Sequence, residues 1–503
     1  MKKILTFLLL SSVMLIMIFA LSSCGILLKK AGLYDGYEYH VDGKDEITIT
    51  GYKGESTKLE IPAWIDGHKV VAIAFSEGDE SLKKIESIKI PKTILSLNSD
   101  TFLPCTGLKE ITVALDNPEY KYFHGSLYSK DGKTLICYPQ GKEDTELELQ
   151  SRVTKIAPLA LRGARNLKNV KCFGLKEIGE LAFLDCNAIE TIDLGTRLQN
   201  IGDLAFKNCS ALTAIDVPDS VENIGSSVFE GCSALTSVSI GNGVKHIGDD
   251  VFSNMDTLTN VIEYEGAYYI GSSRNLYSVF LKVKDTAQTE YVIHPDANII
   301  YASAFENCEN MESIAIPNSL SCIGKKAFYN CKSLKGLEVP EALRLIEENT
   351  FYGCISITEI FIPSSVSEIR NSAFANCLAL RSVTLSDRTA SIGDMAFFEC
   401  SALEEITLPE CIKSIGASAF ENCVALTSVA IPEKVSYIGE KAFAGCTGIE
   451  SVQFVNANDW LSENVTVDPS KLSDAQSAAE LLKSQSKAMM KLEPEETIEF
   501  VED

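Results

Sequence analysis

Residues 415–437 read Ile-Gly-Ala-Ser-Ala-Phe-Glu-Asn-Cys-Val-Ala-Leu-Thr-Ser-Val-Ala-Ile-Pro-Glu-Lys-Val-Ser-Tyr. The same pattern returns throughout Tyr301 to Phe454. Its phenylalanines fall at Phe305, Phe328, Phe351, Phe374, Phe397, Phe420 and Phe443, each 23 residues after the last. A Cys follows each of them three positions later, from Cys308 to Cys446. A strict period of this length marks a solenoid, in which each repeat is one rung stacked on its neighbour.

One rung shows why the period has structural meaning. Leu426, Val429 and Ile431 alternate as a short strand does, with apolar side chains on one face. Pro432 lacks the N–H a ladder needs and ends the strand. Val435 and Ile438 point back inward, and Gly439 turns the chain. Ala442-Phe443 close the rung in a single helical or 3-10 turn. The few side chains a rung buries do not offset the entropy of ordering 23 residues, so each rung needs neighbours.

From Ile178 onward the chain repeats Ile-Gly-x-x-Ala-Phe-x-Asn-Cys-x-x-Leu-x-x-Ile-x-Ile-Pro. These residues resemble the BspA-type leucine-rich repeat of bacterial surface proteins, over nearly the whole chain beyond its leader. The resemblance implies a curved solenoid with a strand-lined concave face, in an extracytoplasmic protein of the binding or adhesion kind. The expected fold is a β-rich leucine-rich repeat solenoid of about fifteen rungs. It has short strands on the concave face, short helical or 3-10 turns on the return side, and two hairpin inserts.

The chain starts with Lys2-Lys3, an apolar run from Ile4 to Leu21, and Leu21-Ser22-Ser23-Cys24. Charge, apolar run and small residues in that order read as a secretory signal over 1–23. The tetrad resembles a bacterial lipobox, in which Cys24 is lipidated and becomes the first residue. An uncleaved transmembrane anchor and plain secretion are the other readings. Residues 24–36 read as lipidated anchor and spacer, and 37–75 as an amino-terminal cap with Ile61-Pro62 already in repeat form. The array spans 76–455, broken by inserts at about 116–144 and 261–294. The first carries Asp131-Gly132, a strong hairpin signal; the second is the most aromatic stretch. Residues 456–470, with Trp460, read as a carboxyl-terminal cap. In 471–503, a helix is expected over Ser473 to Leu492, followed by an acidic tail with six acids and no base.

The 503 residues carry a formal net charge of −24, which becomes −26 without the leader. So acidic a surface repels phosphate backbones, and nucleic acid is not an expected partner. Of the 16 cysteines, eleven occupy the position after Phe, where Met255 substitutes in one rung. A soft apolar group suits that place better than a metal ligand. A disulfide staircase is the rival reading, since stacked Cα atoms lie about 5 Å apart, but parallel side chains suit the bond poorly. The five histidines, His40, His68, His124, His246 and His294, lie far apart in sequence and read as loop or rung-edge residues. The sequence has no His-Glu-x-x-His, Gly-x-Ser-x-Gly or phosphate-binding glycine motif. No catalytic residue, metal or cofactor is assigned.

Binding is expected on the concave face, whose outward residues are mostly small and polar. Glu338, Glu359, Phe361, Thr384 and Thr407 are the candidates there, with Phe361 the large exception. A solvated sheet face without a ligand is the plain alternative. Tyr264, Tyr268 and Tyr277 in the second insert form the other candidate surface, unless they fill the insert's own core. The sequence thus points to a lipid-anchored, non-catalytic protein on the cell surface that binds an extracellular or envelope protein or glycan. An envelope scaffold without a specific ligand is the alternative.

Overall fold

The computed structural model describes residues 30–491, except 77, 254 and 464. The leader, Cys24 and the acidic tail lie outside these residues. The fold is a β-solenoid of about 18 turns with little helix. Contacts divide the chain into two units. One comprises the described residues up to Glu146, Arg152–Leu167 and Ala182–Cys186; the other comprises Leu147–Ser151, Lys168–Leu181 and the chain from Asn187.

In the larger unit each regular rung holds two short strands, such as Ser428–Ile431 and Tyr437–Ile438. Both pair in parallel at one period: Ser428 with Ser451 and Ile431 with Phe454, Ser414 with Tyr437 and Ile415 with Ile438. Val429 and Ile431 are buried while Ser428 and Ala430 face outward, as the alternation requires. The Pro432 carbonyl accepts the Val435 N–H at 3.2 Å and turns the chain between the strands.

The Ala-Phe segment is a hydrogen-bonded turn, where a helical or 3-10 turn is expected from sequence. Alternate N–H groups explain the difference. Ser418, Phe420 and Asn422 donate to the Glu440, Ala442 and Ala444 carbonyls of the next rung at 2.8, 2.7 and 2.8 Å. These groups are therefore not free for bonds along the chain. Ser418 and Asn422 also have φ of 53° and 64°, which a right-handed helix excludes. Asn tolerates that region better than most residues, and Gly353 and Gly445 take the same place in other rungs with φ of 72°. Each regular rung is thus tied to the next by three rows of backbone bonds.

Inside lies a column of rings. Centroids from Phe305 to Phe443 are 5.1–5.3 Å apart, with planes within 2–11° of parallel. The phenylalanines from Phe305 to Phe443 are all fully buried in one core. From Phe305 to Phe420 each Phe carbonyl is shared by two cysteines. The Phe397 oxygen accepts the Cys400 N–H at 3.2 Å and the Cys423 thiol of the next rung at 3.2 Å.

The turn count exceeds the fifteen expected, and the stretch expected as an amino-terminal cap already pairs in parallel as rungs do. In the smaller unit Glu46–Tyr52 pairs in parallel with His68–Ile73, Ile47 opposite Val70. Lys58–Glu60, Ser87–Ile90 and Glu110–Val113 form a parallel trio. The first insert holds three strands, Tyr120–Phe123, Ser126–Ser129 and Thr134–Cys137. Besides the turn at Asp131-Gly132, there is a tight one at His124-Gly125 with φ of 47° and 71°. In the larger unit the second insert forms Ile262–Tyr264, Ala267–Ser272 and Asn275–Val283, antiparallel to one another. Its last strand then pairs in parallel with Ile299–Ile300, and Phe280 stacks 4.7 Å from Phe305.

At the carboxyl end the expected helix is shorter. It runs Ala475–Lys483, with the Asp474 carboxylate accepting the Ser477 N–H at 2.8 Å as its N-cap. Met489–Lys491 is a strand instead, antiparallel to Tyr437–Ile438. The open edge of the last return strand offers backbone partners that helix propensity alone does not match. Trp460 is fully buried and meets Phe454 edge-on at 5.6 Å.

Phe374→Ala removes one ring from the middle of the column. We expect a loss of about 3–5 kcal/mol in urea unfolding. Faster amide exchange should be confined to residues 351–397. A loss under about 1 kcal/mol would mean the column does not hold the rungs together.

Candidate functional site

Three of the residues singled out in the sequence, Glu359, Phe361 and Thr384, lie on first strands of their rungs, and Glu338 and Thr407 lie in the equivalent segments. Glu359 and Phe361 lie in the strand Glu359–Phe361, and Phe361 pairs with Thr384 of the next rung. Phe361 is 60% exposed, which is unusual for so large a side chain. Glu359, Phe361 and Thr384 share a depression of about 450 Å³ with Lys335 and Gly336. Thr407 is exposed just past Glu405–Ile406, and Glu338 is exposed in a segment that forms no strand; both lie outside the depression.

The tyrosines of the second insert divide. Tyr264 and Tyr277 pack against the main core, with rings 5.5 Å apart and edge-on. His294 stacks on Tyr277 at 3.7 Å, and its backbone N–H donates to the Tyr269 hydroxyl at 3.1 Å. Burial pushes the Tyr269 phenol up to about 12. Tyr264 and Tyr277 therefore fill the insert's own core to a large extent. Tyr268 sits on the opposite face of its strand from Tyr269 and is half-buried.

A larger cavity, of about 680 Å³, lies where the rung ladder opens. One sheet ends at Cys322–Ile323 and another begins at Leu345–Ile346; likewise, Ser313–Ala315 ends one sheet and Glu359–Phe361 begins another. The intervening rung has Gly336, where neighbouring rungs carry Ser313 and Glu359. Gly weakens a strand. The third row stays closed, with Phe328 N–H on the Thr350 carbonyl at 2.9 Å. The return strands are thus parted, the first-strand side loses its paired strand but keeps the Lys335 N–H on the Glu312 carbonyl at 3.2 Å, and the third row stays joined.

Glu347 stands at the lip of this opening. Its side chain is 1% exposed, and Oε2 accepts from Arg370 Nη1 at 2.8 Å. Oε1 is buried without a hydrogen-bond partner; His246 Nδ1 is 3.7 Å away, beyond bonding reach. Sequence reasoning missed Glu347 and Arg370, although a signal was present. Nearly every rung from Ile178 on has Gly after the return-strand Ile, but Tyr301, Glu347 and Arg370 replace it. At Gly324 an added Cβ would lie 2.6 Å from the Ala302 nitrogen of the preceding rung, so a side chain at this position needs room.

Comparison with known proteins assigns the repeat. Residues 78–128, 138–273, 298–390 and 367–489 match the BspA type leucine rich repeat region, in six copies. The chain belongs to that family. No curated protein matches this BspA-type chain significantly. Among solved structures it is similar to a leucine rich cell surface protein from Faecalibacterium prausnitzii, at 21% identity over 86% of this chain and 96% of that one, with a TM-score of 0.32. A T. pallidum leucine rich repeat protein is 26% identical over 37% of this chain and 90% of that one, with a TM-score of 0.35. A leucine-rich repeat protein from Bacteroides ovatus is 20% identical over 84% and 94%, with a TM-score of 0.29. BspA-type proteins are typically bacterial surface proteins, and their repeats are typically non-catalytic. Among the described residues no helix is long and apolar enough to cross a membrane. Among the same residues no group of three or more His, Cys, Asp or Glu could hold a metal ion.

The cysteines of this BspA-type chain act as small buried donors. Cys354, Cys377 and Cys400 give their thiol protons to the Phe328, Phe351 and Phe374 carbonyls at 3.1, 3.2 and 3.1 Å. Burial pushes the Cys377 thiol up to about 12, and Cys354 and Cys400 rise well above the usual thiol range. A neutral thiol is a poor nucleophile. Iodoacetamide at pH 8 should therefore label half-buried Cys411 in the folded protein and spare this column until denaturant is added. Peptide mass mapping reads the result; early labelling of Cys377 would refute the assignment.

Proposed function

We propose that this chain is a lipid-anchored, extracytoplasmic repeat protein that binds another macromolecule, a protein or a glycan, by shape and many weak contacts and without catalysis. The observation that carries the reading is Phe361. It is an exposed ring beside a depression, on a strand face whose other residues are small or acidic. Large aromatic side chains at the centre of a contact supply much of its energy, and small polar neighbours can form the rim. Membership of a family typical of bacterial surfaces supports the location. Lys2-Lys3, the apolar run and Leu21-Ser22-Ser23-Cys24 support the anchor. Two acyl chains hold a protein stably to a membrane, at about 0.8 kcal/mol per buried CH₂.

Solid-phase binding to extracellular matrix proteins and envelope glycans tests the reading. Saturable binding to at least one of them is expected, weakened tenfold or more by Phe361→Ala, since an anchor of this kind contributes about 2 kcal/mol or more. Absence of saturable binding would sink it. Loss of surface-layer attachment on deletion, with adhesion intact, would favour a scaffold.

Mass spectrometry of the mature protein should find an amino terminus at acylated Cys24. Cys24→Ser should release the chain from membranes. An intact leader in the mature protein would contradict the anchor.

A further inference from the structure

We propose that the cavity between Cys322–Ile323 and Leu345–Ile346 is a binding site for an acidic sugar, a pyranose bearing one carboxylate and free hydroxyls. The site is independent of the Phe361 surface and stands whether or not that surface binds a partner. Its volume of about 680 Å³ is in the range of small-molecule sites and far beyond what one inorganic ion fills.

Charge is the first argument. The chain as a whole is strongly acidic, at −24. The cavity reverses that sign, with Lys245, Arg344 and Arg370 against the single carboxylate of Glu347. Arg370 is committed to Glu347 and lies 3.7 Å from Glu368, and Lys245 pairs with Glu222 at 2.9 Å, with Glu368 and Glu222 both outside the cavity lining. Arg344 is exposed, and among the described residues its side chain has no carboxylate partner. It is thus the guanidinium available for a bidentate contact with a ligand carboxylate.

The second argument is the unpaired Oε1 of Glu347. A buried carboxylate oxygen without a donor is costly, and a ligand that supplies one recovers that cost. The donor it favours is neutral. An ammonium at that oxygen would face the Arg370 guanidinium, whereas a hydroxyl adds no charge. A ligand with a hydroxyl for Glu347 and a carboxylate for Arg344 meets both needs. The side chains of Asn298 and Ser321 and the apolar wall of Val244 and Ile323 suit the mixed faces of a sugar ring.

Isothermal titration of the full-length chain tests the proposal, with glucuronic acid and N-acetylneuraminic acid as probes. Glucose, N-acetylglucosamine and sodium sulfate serve as controls. Saturable one-to-one binding of at least one acid and none of the neutral sugars is expected. Arg344→Ala should weaken it about tenfold or more, as loss of a charge-assisted contact does, with an unchanged melting temperature. Ala342→Trp, which fills the cavity without altering its charge, should abolish it. Binding of neither acid would overturn the proposal, as would equal binding of neutral and acidic sugars. Sulfate binding as tight as the sugar acids, or full affinity in Arg344→Ala, would overturn it too.

Discussion

Everything in this protein follows from backbone bonds that repeat at a fixed offset. An N–H on one rung meets a carbonyl on the next, as between Phe420 and Ala442. Because that bond recurs every 23 residues, side chains at equivalent positions lie over one another. Phenylalanines become a column of near-parallel rings, and thiols reach the carbonyls of the rung before. The second left-handed position of a rung is often Asn or Gly, as at Asn376, Asn422, Gly353 and Gly445, while the cross-rung bonds hold even Met395 in that region at the first. A one-residue slip in a strand would turn its apolar side chains to solvent, so the register is held by the core as firmly as by the ladder.

That same regularity leaves little room for individuality. In the regular rungs the outward residues are mostly small or acidic, with Phe361 the large exception. Distinct surfaces arise where the repeat lapses. The second insert replaces a rung and gathers Tyr264, Tyr277 and His294. The rung of Gly336 lacks its first strand, and its return strand Leu345–Ile346 begins a new sheet; a depression lies on one side and a cavity on the other. Glu347 and Arg370 stand where adjacent rungs require glycine, and the open ladder gives Glu347 the space its side chain needs.

The period and the strand alternation were legible in the sequence because one force sets both. Burial of Leu, Val, Ile and Phe at fixed spacing leaves a direct trace in residue type. The turn at Ala-Phe was less legible. Its residues suit a helical turn, and only the next rung's carbonyls at Glu440, Ala442 and Ala444 decide otherwise. The strand Met489–Lys491 was illegible for the same reason, since its partner Tyr437–Ile438 lies about fifty residues earlier. The cavity left its trace only as an exception. Reading Ile-Gly as a turn explains the rungs that obey it, and hides the three positions, Tyr301, Glu347 and Arg370, where the rule lapses.

Surface charge then sets which ligands the chain can hold. Lysines and glutamates pair across adjacent rungs, as Lys332 with Glu309 and Lys245 with Glu222. Such exposed pairs contribute about 0–1 kcal/mol each, so they leave stability to the core. Acids still exceed bases over the chain. A long polyanion laid on this surface would meet repulsion along most of its length. At physiological salt that repulsion fades within about 8 Å. A compact anion inside the cavity feels chiefly Arg344 and the other basic groups that line it. The balance therefore favours a single acidic unit at the end of a chain over a repeating polyanion, and directs anion binding to the cavity beside Arg344.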